Sequence, residues 1–233
     1  MVEYNSNKNN AMQLFIVLLI LIIFTMCCSL IYNKITDKFE PIKSDINGKN
    51  YNVRSQGEPE EKIKTANHLA EISDRVDKLV SYMYENNLPD PEIAKRLKKR
   101  WSGINFRETS QNESSAAYTV NKGDEMRLCV KNKGKMEEIN TSMFVVLHEL
   151  GHVMSISYGH NEEFRNNFSY IVHLASALGF YKPENFDNEP VEYCGTEINT
   201  TPCMSGMCEY TSIPMIGVEA FANTKGAFGG VNF

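Results

Sequence analysis

The stretch MFVVLHELGHVM, residues Met143–Met154, contains two histidines four positions apart and a glutamate directly after the first. Residues four apart lie one turn above each other on the same helix face, so His148 and His152 can reach one ion. Neutral imidazole is a good ligand for Zn²⁺. Glu149 lies beside these ligands, within reach of a metal-bound water, as in metalloproteases. The stretch therefore predicts two zinc ligands and a general base.

Apolar residues surround this motif on nearly every side of the predicted helix, which is typical of a buried helix. Histidine and glutamate side chains are costly in such a setting unless they are paired or bind a metal. Asn140 or Thr141 is expected to cap the start of the helix through a side-chain oxygen. The alternative interpretation is a surface helix on which the His-Glu-x-x-His pattern is incidental.

A third metal ligand is expected near the motif, because catalytic zinc sites combine three protein ligands with one position open to water. His160 is the first candidate, since a turn at Tyr158-Gly159 would bring it back beside the helix that carries His152. Glu162 and Glu163 are its rivals, because a glutamate from the following helix can also complete a zinc site.

The predicted mechanism gives each polar group one role. Zn²⁺ held by the three histidines would activate a water molecule and polarise the scissile carbonyl. Glu149 would accept the water proton and pass it to the leaving amine. A further group must stabilise the oxyanion. Tyr193 and Tyr158 are the candidates by their chemistry, and Tyr193 can equally be a packed aromatic.

The overall charge gives no general basis for binding nucleic acid, so nucleic acid is not an expected partner. The 233 residues carry a net charge of −5 and a pI near 5.6, and they suffice for one domain with an anchor and tails. One basic segment, Lys95–Arg100, permits two interpretations. It is either a patch for phosphate groups or a solvated helix face, and the absence of aromatic interleaving beyond Trp101 favours the solvated face.

An uncharged run of 19 residues, Leu14–Tyr32, is just long enough to span a bilayer core of about 30 Å and is predicted to be a transmembrane anchor. A cleaved signal peptide is the competing interpretation. The length of the run and the lack of a small-x-small cleavage pattern argue against it. A polar tail, residues 1–13, is expected before the anchor.

Two signals disagree on the orientation of this anchor. Three lysines follow the span and only Lys8 precedes it, so the positive-inside rule favours a cytosolic position for the large domain. Four Asn-x-Ser/Thr sequons would suit a lumenal domain instead. They begin at Asn112, Asn140, Asn167 and Asn199.

The remaining chain is expected to comprise a polar linker, residues 33–57, a folded domain, residues 58–215, and a flexible glycine-rich tail, residues 216–233. Apolar spacing predicts an amphipathic helix over residues 63–86, a shorter helix ending near 101 and another over 164–178. A strand over 104–109 and a hairpin formed by 117–120 and 126–130 are also expected. The other histidines, His68 and His173, are expected on helix surfaces.

Six cysteines are too few for a disulfide scaffold in a chain of this length. Two of them lie in the apolar run. The others are either unrelated thiols or disulfide partners, the latter only in an oxidising compartment. These four are Cys129, Cys194, Cys203 and Cys208.

The run His148-Glu149-Leu150-Gly151-His152, followed by Gly159-His160-Asn161-Glu162-Glu163-Phe164, resembles the small gluzincin-like zinc metallopeptidases of the WLM and SprT-like group. The strings at 117–123, 144–152 and 190–195 are similar to uncharacterised members encoded by large DNA viruses. The resemblance implies a zincin-type core and a third zinc histidine followed by an aromatic residue, here His160 and Phe164. It also implies that a strand near Met126–Val130 lines the cleft and pairs with an extended substrate.

The expected fold is therefore α+β, a minimal gluzincin that is rich in helices and has a small antiparallel sheet, after a transmembrane helix. The expected function is membrane-anchored, zinc-dependent cleavage of a protein or peptide. Members of the resembled group act on proteins crosslinked to DNA, but this chain differs from them by its anchor, its acidic charge and the lack of a zinc ribbon. The alternatives are a catalytically silent zinc-binding interaction module and a DNA-associated protease.

Overall fold

A computed structural model describes residues 2–35, 38–110 and 115–202 of the protein. Within these ranges, five helices and four small sheets form a mixed α+β fold. The chain divides into a helical N-terminal unit and a second unit that begins at Phe39. The predicted glycine-rich tail, residues 216–233, lies outside the described residues, as do Cys203 and Cys208.

The N-terminal unit is one helix, α1 (Val2–Ile35), which contains the predicted anchor. The segment Met12–Ser29 is long and apolar enough to cross a membrane, and its side chains are exposed. The same properties fit a signal sequence. The helix also includes most of the predicted polar tail, because residues 2–13 contain no proline or glycine to interrupt it.

The predicted linker over residues 33–57 is wrong for most of its length. Strands β1 (Phe39–Lys43) and β2 (Asn50–Arg54) form an antiparallel hairpin. Tyr51 and Val53 alternate with polar residues on β2 and are buried in the hydrophobic core. This short period-two pattern lies within a polar, glycine-containing segment, which is why the sequence resembled a linker.

Helices α2 (Pro59–Glu85) and α3 (Pro91–Ser102) follow the hairpin. The predicted amphipathic helix is confirmed in α2, whose apolar face lies in the core from Ala66 to Met83. Asp90 caps α3, since its side chain accepts hydrogen bonds from the backbone N–H groups of Glu92 and Ile93.

A three-stranded sheet lies between α3 and the motif helix in the chain. Its strands are β3 (Asn105–Glu108), β4 (Ala117–Val120) and β5 (Glu125–Leu128), in the spatial order β3-β5-β4. The predicted hairpin is confirmed in the antiparallel pair β4/β5, whereas β3 and β5 are parallel, so the sheet is mixed and not antiparallel. Because β5 is the central strand, its edges are already paired, and the expectation that this strand binds an extended substrate is wrong. The two edge strands of this sheet are β3 and β4.

The remaining elements complete the domain. The two-residue strands β6 (Lys131–Asn132) and β7 (Lys135–Met136) precede helices α4 (Ile139–Met154) and α5 (Glu162–Ala177). The hairpin of β8 (Val191–Tyr193) and β9 (Thr196–Ile198) follows. Glu138 occupies the N-cap position of α4 and makes no capping hydrogen bond with its side chain. The prediction that Asn140 or Thr141 caps this helix is therefore wrong. The Asn140 side chain instead bonds Lys182 and Glu184.

A disulfide joins Cys129, directly after β5, to Cys194 in the turn of the β8/β9 hairpin, across 65 positions of sequence. Disulfides persist in oxidising compartments, which the cytosol is not. The lysines after the anchor nevertheless favour a cytosolic position for the large domain, so the two signals disagree. Of the sequons, that of Asn167 is excluded from glycosylation, because its side chain is buried and donates to Ser155 Oγ at 2.9 Å. The cytosolic orientation stays a prediction.

Candidate metal centre

Helix α4 brings His148 and His152 to one face, and the segment after it returns His160 to the same place. His160 Nε2 lies 3.0 Å from His148 Nε2 and 3.2 Å from His152 Nε2. One ligand atom from each ring lies within 4.8 Å of the others, so the three residues could hold a metal ion. The predicted convergence of this trio is confirmed.

The spacing of these nitrogens fits a zinc ion. Zn–N bonds of 2.0–2.1 Å in a tetrahedral arrangement separate two ligand nitrogens by about 3.3 Å. The two closest pairs in the trio are near this value. Three nitrogens without a carboxylate are borderline ligands that suit zinc better than magnesium or calcium, which require oxygen. His160 is exposed, so the trio is open to solvent on its side.

Burial keeps the first two ligands neutral, which is the form that binds a metal. Burial, followed by the charges of His152 and His160, lowers the pKa of His148 to about 3. Burial also lowers the pKa of His152 to about 4, with smaller effects from His160 and Lys122. A ring that resists protonation keeps its lone pair available at neutral pH.

Two phenylalanines of α5 fix the orientation of the ligand rings. His152 stacks on Phe164 with centroids 4.1 Å apart, and His148 meets Phe164 and Phe168 edge to face at 4.9 and 5.0 Å. Gly151 allows this close approach, because an added Cβ would lie 3.1 Å from atoms of both phenylalanines. The small residue inside the motif therefore determines how closely α5 packs on α4.

Glu149 follows His148 directly on helix α4, and its side chain is held by the sheet. Only 7% of the residue is exposed, and its Oε2 accepts a hydrogen bond of 2.9 Å from Thr119 Oγ1 on strand β4. Burial raises the pKa of Glu149 to about 7, although the hydrogen bonds from Thr119 lower it. A carboxyl group with this pKa can both accept and release a proton near neutral pH.

Glu163, the predicted rival ligand, has a different role. Its carboxylate accepts hydrogen bonds from the backbone N–H groups of Ile156 and Ser157, at 2.7 and 2.9 Å, and from the Ser157 hydroxyl. These bonds, that of Ile156 first, lower the pKa of Glu163 to about 2. Glu163 thus orders the segment that presents His160. Glu162 is exposed in the first turn of α5.

The structure does not bring Tyr193 to the histidines. The residue is fully buried, and its hydroxyl donates to Cys129 O at 2.5 Å and lies 3.1 Å from Ser142 Oγ. Burial raises its pKa well above the ordinary value. Of the two interpretations of Tyr193, oxyanion stabiliser or packed aromatic, its surroundings therefore favour the packed aromatic. Tyr158 is 83% exposed on the segment before His160, and its ring lies under Lys122 Nζ.

Three further residues have surroundings that the sequence did not reveal. His68, expected on a helix surface, is buried, with Nε2 at 2.8 Å from Ser142 Oγ. His173 is half-buried outside the trio. Thr119 was not predicted to contact the site, although it lies in a string that resembles viral proteins. The sequence did offer one signal for this contact: Thr119 carries a hydroxyl group and lies on a strand that was expected next to the motif helix.

The comparisons with known proteins find relatives in large DNA viruses. The chain is 31% identical over 163 residues to uncharacterized protein R325 of Acanthamoeba polyphaga mimivirus, which covers 68% of this chain and 81% of that protein. It is 34% identical over 73 residues to uncharacterized protein 136R of Invertebrate iridescent virus 6, covering 30% and 40% of the two chains. It is 37% identical over 73 residues to uncharacterized protein 042R of Invertebrate iridescent virus 3, which covers 30% of this chain and 45% of that protein. No family model and no solved structure matches the chain.

Proposed function

The chain belongs to the family of the mimivirus protein, a family of large DNA viruses, and we propose that it is a membrane-anchored, zinc-dependent endopeptidase. In this proposal its second unit is a minimal gluzincin of the WLM and SprT-like group. Its substrates are proteins or peptides.

One observation carries the proposal: three histidine nitrogens converge at a solvent-accessible point, and a buried carboxyl group, that of Glu149, directly follows the first histidine on helix α4. A structural zinc site uses four protein ligands and no neighbouring base. The trio supplies three ligands and leaves the fourth position free, and Glu149 is the base. This combination supports hydrolysis.

The residues of the chain divide the chemistry between them. Bound zinc would lower the pKa of its water towards about 7 and polarise the substrate carbonyl. Glu149 would accept the proton on the carboxylate oxygen that Thr119 does not hold and release it to the leaving amine. A dication nearby lowers the pKa of a carboxyl group, so Glu149 would be ionised when metal is bound.

Strand β4 is the proposed platform for the substrate. Its outer edge is unpaired among the described strands, and Thr119 on this strand holds the general base. A peptide that adds to this edge would gain backbone hydrogen bonds and would lie beside Glu149. Helix α1 would restrict the enzyme to substrates near a membrane surface.

Two substitutions test the proposal. Glu149→Gln should keep bound zinc and reduce cleavage of casein by about a thousandfold or more, because the shape is retained and the base is lost. His152→Ala should lose both zinc and cleavage. Zinc content by metal analysis and cleavage by gel electrophoresis are measured on the same preparations. Full activity of Glu149→Gln contradicts the mechanism, and bound zinc without any wild-type cleavage favours the interaction module instead.

A further inference from the structure

A cleft of about 580 Å³ lies between helix α3 and the turn that joins β4 to β5. Two carboxylates, those of Glu92 and Asp124, line it together with five cationic side chains, so it carries a surplus of three positive charges in a chain that is acidic overall. The five cations are Lys95, Arg96, Lys99, Arg100 and Lys122.

We infer that this basic cleft is a subsite for acidic substrate residues on the N-terminal side of the scissile bond. The inference rests on the proposed peptidase function and names the class of substrate: polypeptides with aspartate or glutamate before the cleaved bond.

The cations of the basic cleft form no close ion pair with a described carboxylate, although Glu163 acts electrostatically on Lys122 and Arg96. Within residues 38–110 and 115–202, none of the five has a carboxylate oxygen within 4.0 Å. Lys95 and Lys99 are exposed one turn apart on α3. A solvated helix face would carry such lysines alone. Here a third cationic group, Lys122, is contributed by a different part of the chain.

Three of the cations contact the end of the motif helix. Arg96 donates to Met154 O at 2.9 and 2.7 Å, Arg100 to Val153 O and Ser155 O, and Lys122 to the carbonyls of residues 155–157. The end of a helix carries about half a negative charge, far less than three cations supply. Glu163 adds a carboxylate that acts on Arg96 and Lys122. The positive charge that remains for a ligand is therefore chiefly that of Lys95 and Lys99, which are exposed on α3.

The pKa of Lys122 is lowered from its ordinary value. Burial lowers it first, and the charge of Arg100 lowers it further, while Glu163 acts in the opposite direction. The position of Lys122 is built into the fold, because an added Cβ at the neighbouring Gly123 would lie 2.9 Å from Arg100 Cβ. The turn thus packs directly on α3.

The position of the basic cleft decides which substrate residues it can reach. Strand β4 ends at Val120, so the cleft begins where the proposed substrate platform stops. A peptide paired antiparallel to β4, with its scissile carbonyl near Glu149 and Thr119, runs with its N-terminal part past Val120. At about 3.3 Å per residue, the side chains about two to four positions before the bond reach the cleft, where Lys95 and Lys99 are the exposed cations.

The features of the basic cleft favour a polypeptide over nucleic acid. Its charge is confined to one patch, whereas nucleic acid is usually bound along a basic stripe with stacking aromatics. The aromatic side chain of α3, Trp101, is buried, and its indole N–H donates to Asp77 at 2.6 Å. Trp101 therefore offers no face for a base, and one face of the exposed Tyr158 ring is already covered by Lys122 Nζ.

Cleavage profiling tests the inference. Full-length, zinc-loaded protein in detergent is incubated with a proteome-derived peptide library, and cut sites are identified by mass spectrometry. We expect aspartate and glutamate to be enriched before the cut bond. Lys95→Glu/Lys99→Glu should abolish this enrichment and lower kcat/KM for an acidic peptide about tenfold, with less than about twofold change for a neutral peptide.

The matched control is Lys133→Glu/Lys135→Glu, which makes the same charge change on exposed lysines of the β6/β7 hairpin. It should retain the acidic preference. Three results would overturn the inference and leave the peptidase function intact. They are cleavage without a preference for acidic residues, enrichment of acidic residues only after the cut bond, and an equal loss of the acidic preference in the control variant.

A binding measurement separates the basic cleft from catalysis. A fluorescent acidic peptide, a neutral peptide and a single-stranded oligonucleotide are titrated onto the Glu149→Gln protein, with and without Lys95→Glu/Lys99→Glu. Acidic-peptide binding that requires the two lysines supports the subsite even if the wild type cuts nothing, in which case only the peptidase function fails. Oligonucleotide binding that requires them, without peptide binding, assigns the cleft to nucleic acid and overturns the inference.

Discussion

The two ends of helix α4 carry similar polar side chains in opposite situations. In its first turn, Ser142 Oγ lies 2.8 Å from His68 Nε2 and 3.1 Å from the Tyr193 hydroxyl, which also donates to Cys129 O. Each of these groups has a partner within the protein. At the other end, the three ligand histidines direct their nitrogens at one another and at the solvent.

This difference separates a polar cluster that is satisfied within the protein from one that could hold a metal ion. Burial, and to a smaller degree Arg75, lowers the pKa of His68 to about 4, so its ring is as neutral as those of His148 and His152. Neutral histidine alone therefore does not indicate a ligand. Buried polar groups are normally paired, and the ligand trio becomes fully paired only when a cation lies between its nitrogens.

The largest effect is expected from His160→Ala, at the open end of α4. Structural zinc sites with four ligands bind with about 10–16 kcal/mol, so one ligand corresponds to about 3–4 kcal/mol, or several hundredfold in affinity. A competition titration with a zinc chelator measures this loss. His173→Ala, on the same helix as the Phe164 wall but outside the trio, is the control. If Glu163→Gln weakens zinc as much as His160→Ala, the assignment of the third ligand is wrong.

The next effect concerns Glu149 in the metal-free protein. Its carboxyl has a pKa of about 7 in the fold against an ordinary value of 4.5, so the folded state holds the proton more tightly than the unfolded chain. Stability therefore falls as pH rises from about 4.5 to 7, and the whole loss is present above pH 7. Glu149→Gln should then be more stable than wild type by about 2–3 kcal/mol at pH 8 and nearly equal at pH 4.

Urea unfolding of the metal-free proteins at both pH values measures this difference. Glu162→Gln, at an exposed glutamate of α5, should behave like wild type. Equal stabilities of wild type and Glu149→Gln at pH 8 would show that the fold does not penalise the ionised base.

A smaller effect is expected where α5 packs on α4. Gly151→Ala places a methyl group 3.1 Å from atoms of Phe164 and Phe168, and overpacking of this kind costs about 1–3 kcal/mol. Alanine's helix propensity offsets about 1 kcal/mol of this. The thermal midpoint and zinc affinity should both fall. Gly103→Ala, whose added Cβ would meet its nearest atoms at 3.9 and 4.0 Å, should leave both nearly unchanged. Unaltered zinc affinity in Gly151→Ala would mean that the phenylalanine wall does not position the ligands.

The smallest effect is expected at the closed end of α4. Tyr193→Phe removes two hydrogen bonds and should lower the free energy of unfolding by about 1–2 kcal/mol. Zinc content and kcat should stay at the wild-type level, because the hydroxyl lies within the structural cluster. Chemical denaturation and a peptide-cleavage assay measure the two quantities. A stable Tyr193→Phe protein without activity would return Tyr193 to the catalytic residues.

The local parts of the site could be predicted from the sequence, and the long-range parts could not. The spacing of His148 and His152 follows from helix geometry, and the turn before His160 follows from its short distance along the chain. The bond from Thr119 to Glu149 joins residues 30 positions apart, and no periodicity encodes it. The Cys129–Cys194 pairing was missed for the same reason.

Two other differences have physical causes of their own. The β1/β2 hairpin buries few side chains, so its apolar signal is weak beside its polar and glycine residues. The lysines of α3 have the spacing of a solvated face, and that interpretation was reasonable for α3 alone. The surroundings of these lysines differ from those of a solvated helix face, because Lys122, from a turn between two strands, lies in the same cleft.

The Cys129–Cys194 disulfide closes a covalent ring that contains the three histidines and Glu149. If this protein or another protease cuts the exposed segment at Ile156–Asn161, the two fragments stay joined through sulfur. Such a nicked molecule would migrate as an intact chain on a non-reducing gel and as two pieces after reduction. A cut between residues 129 and 194 is therefore visible only when thiol is added to the sample.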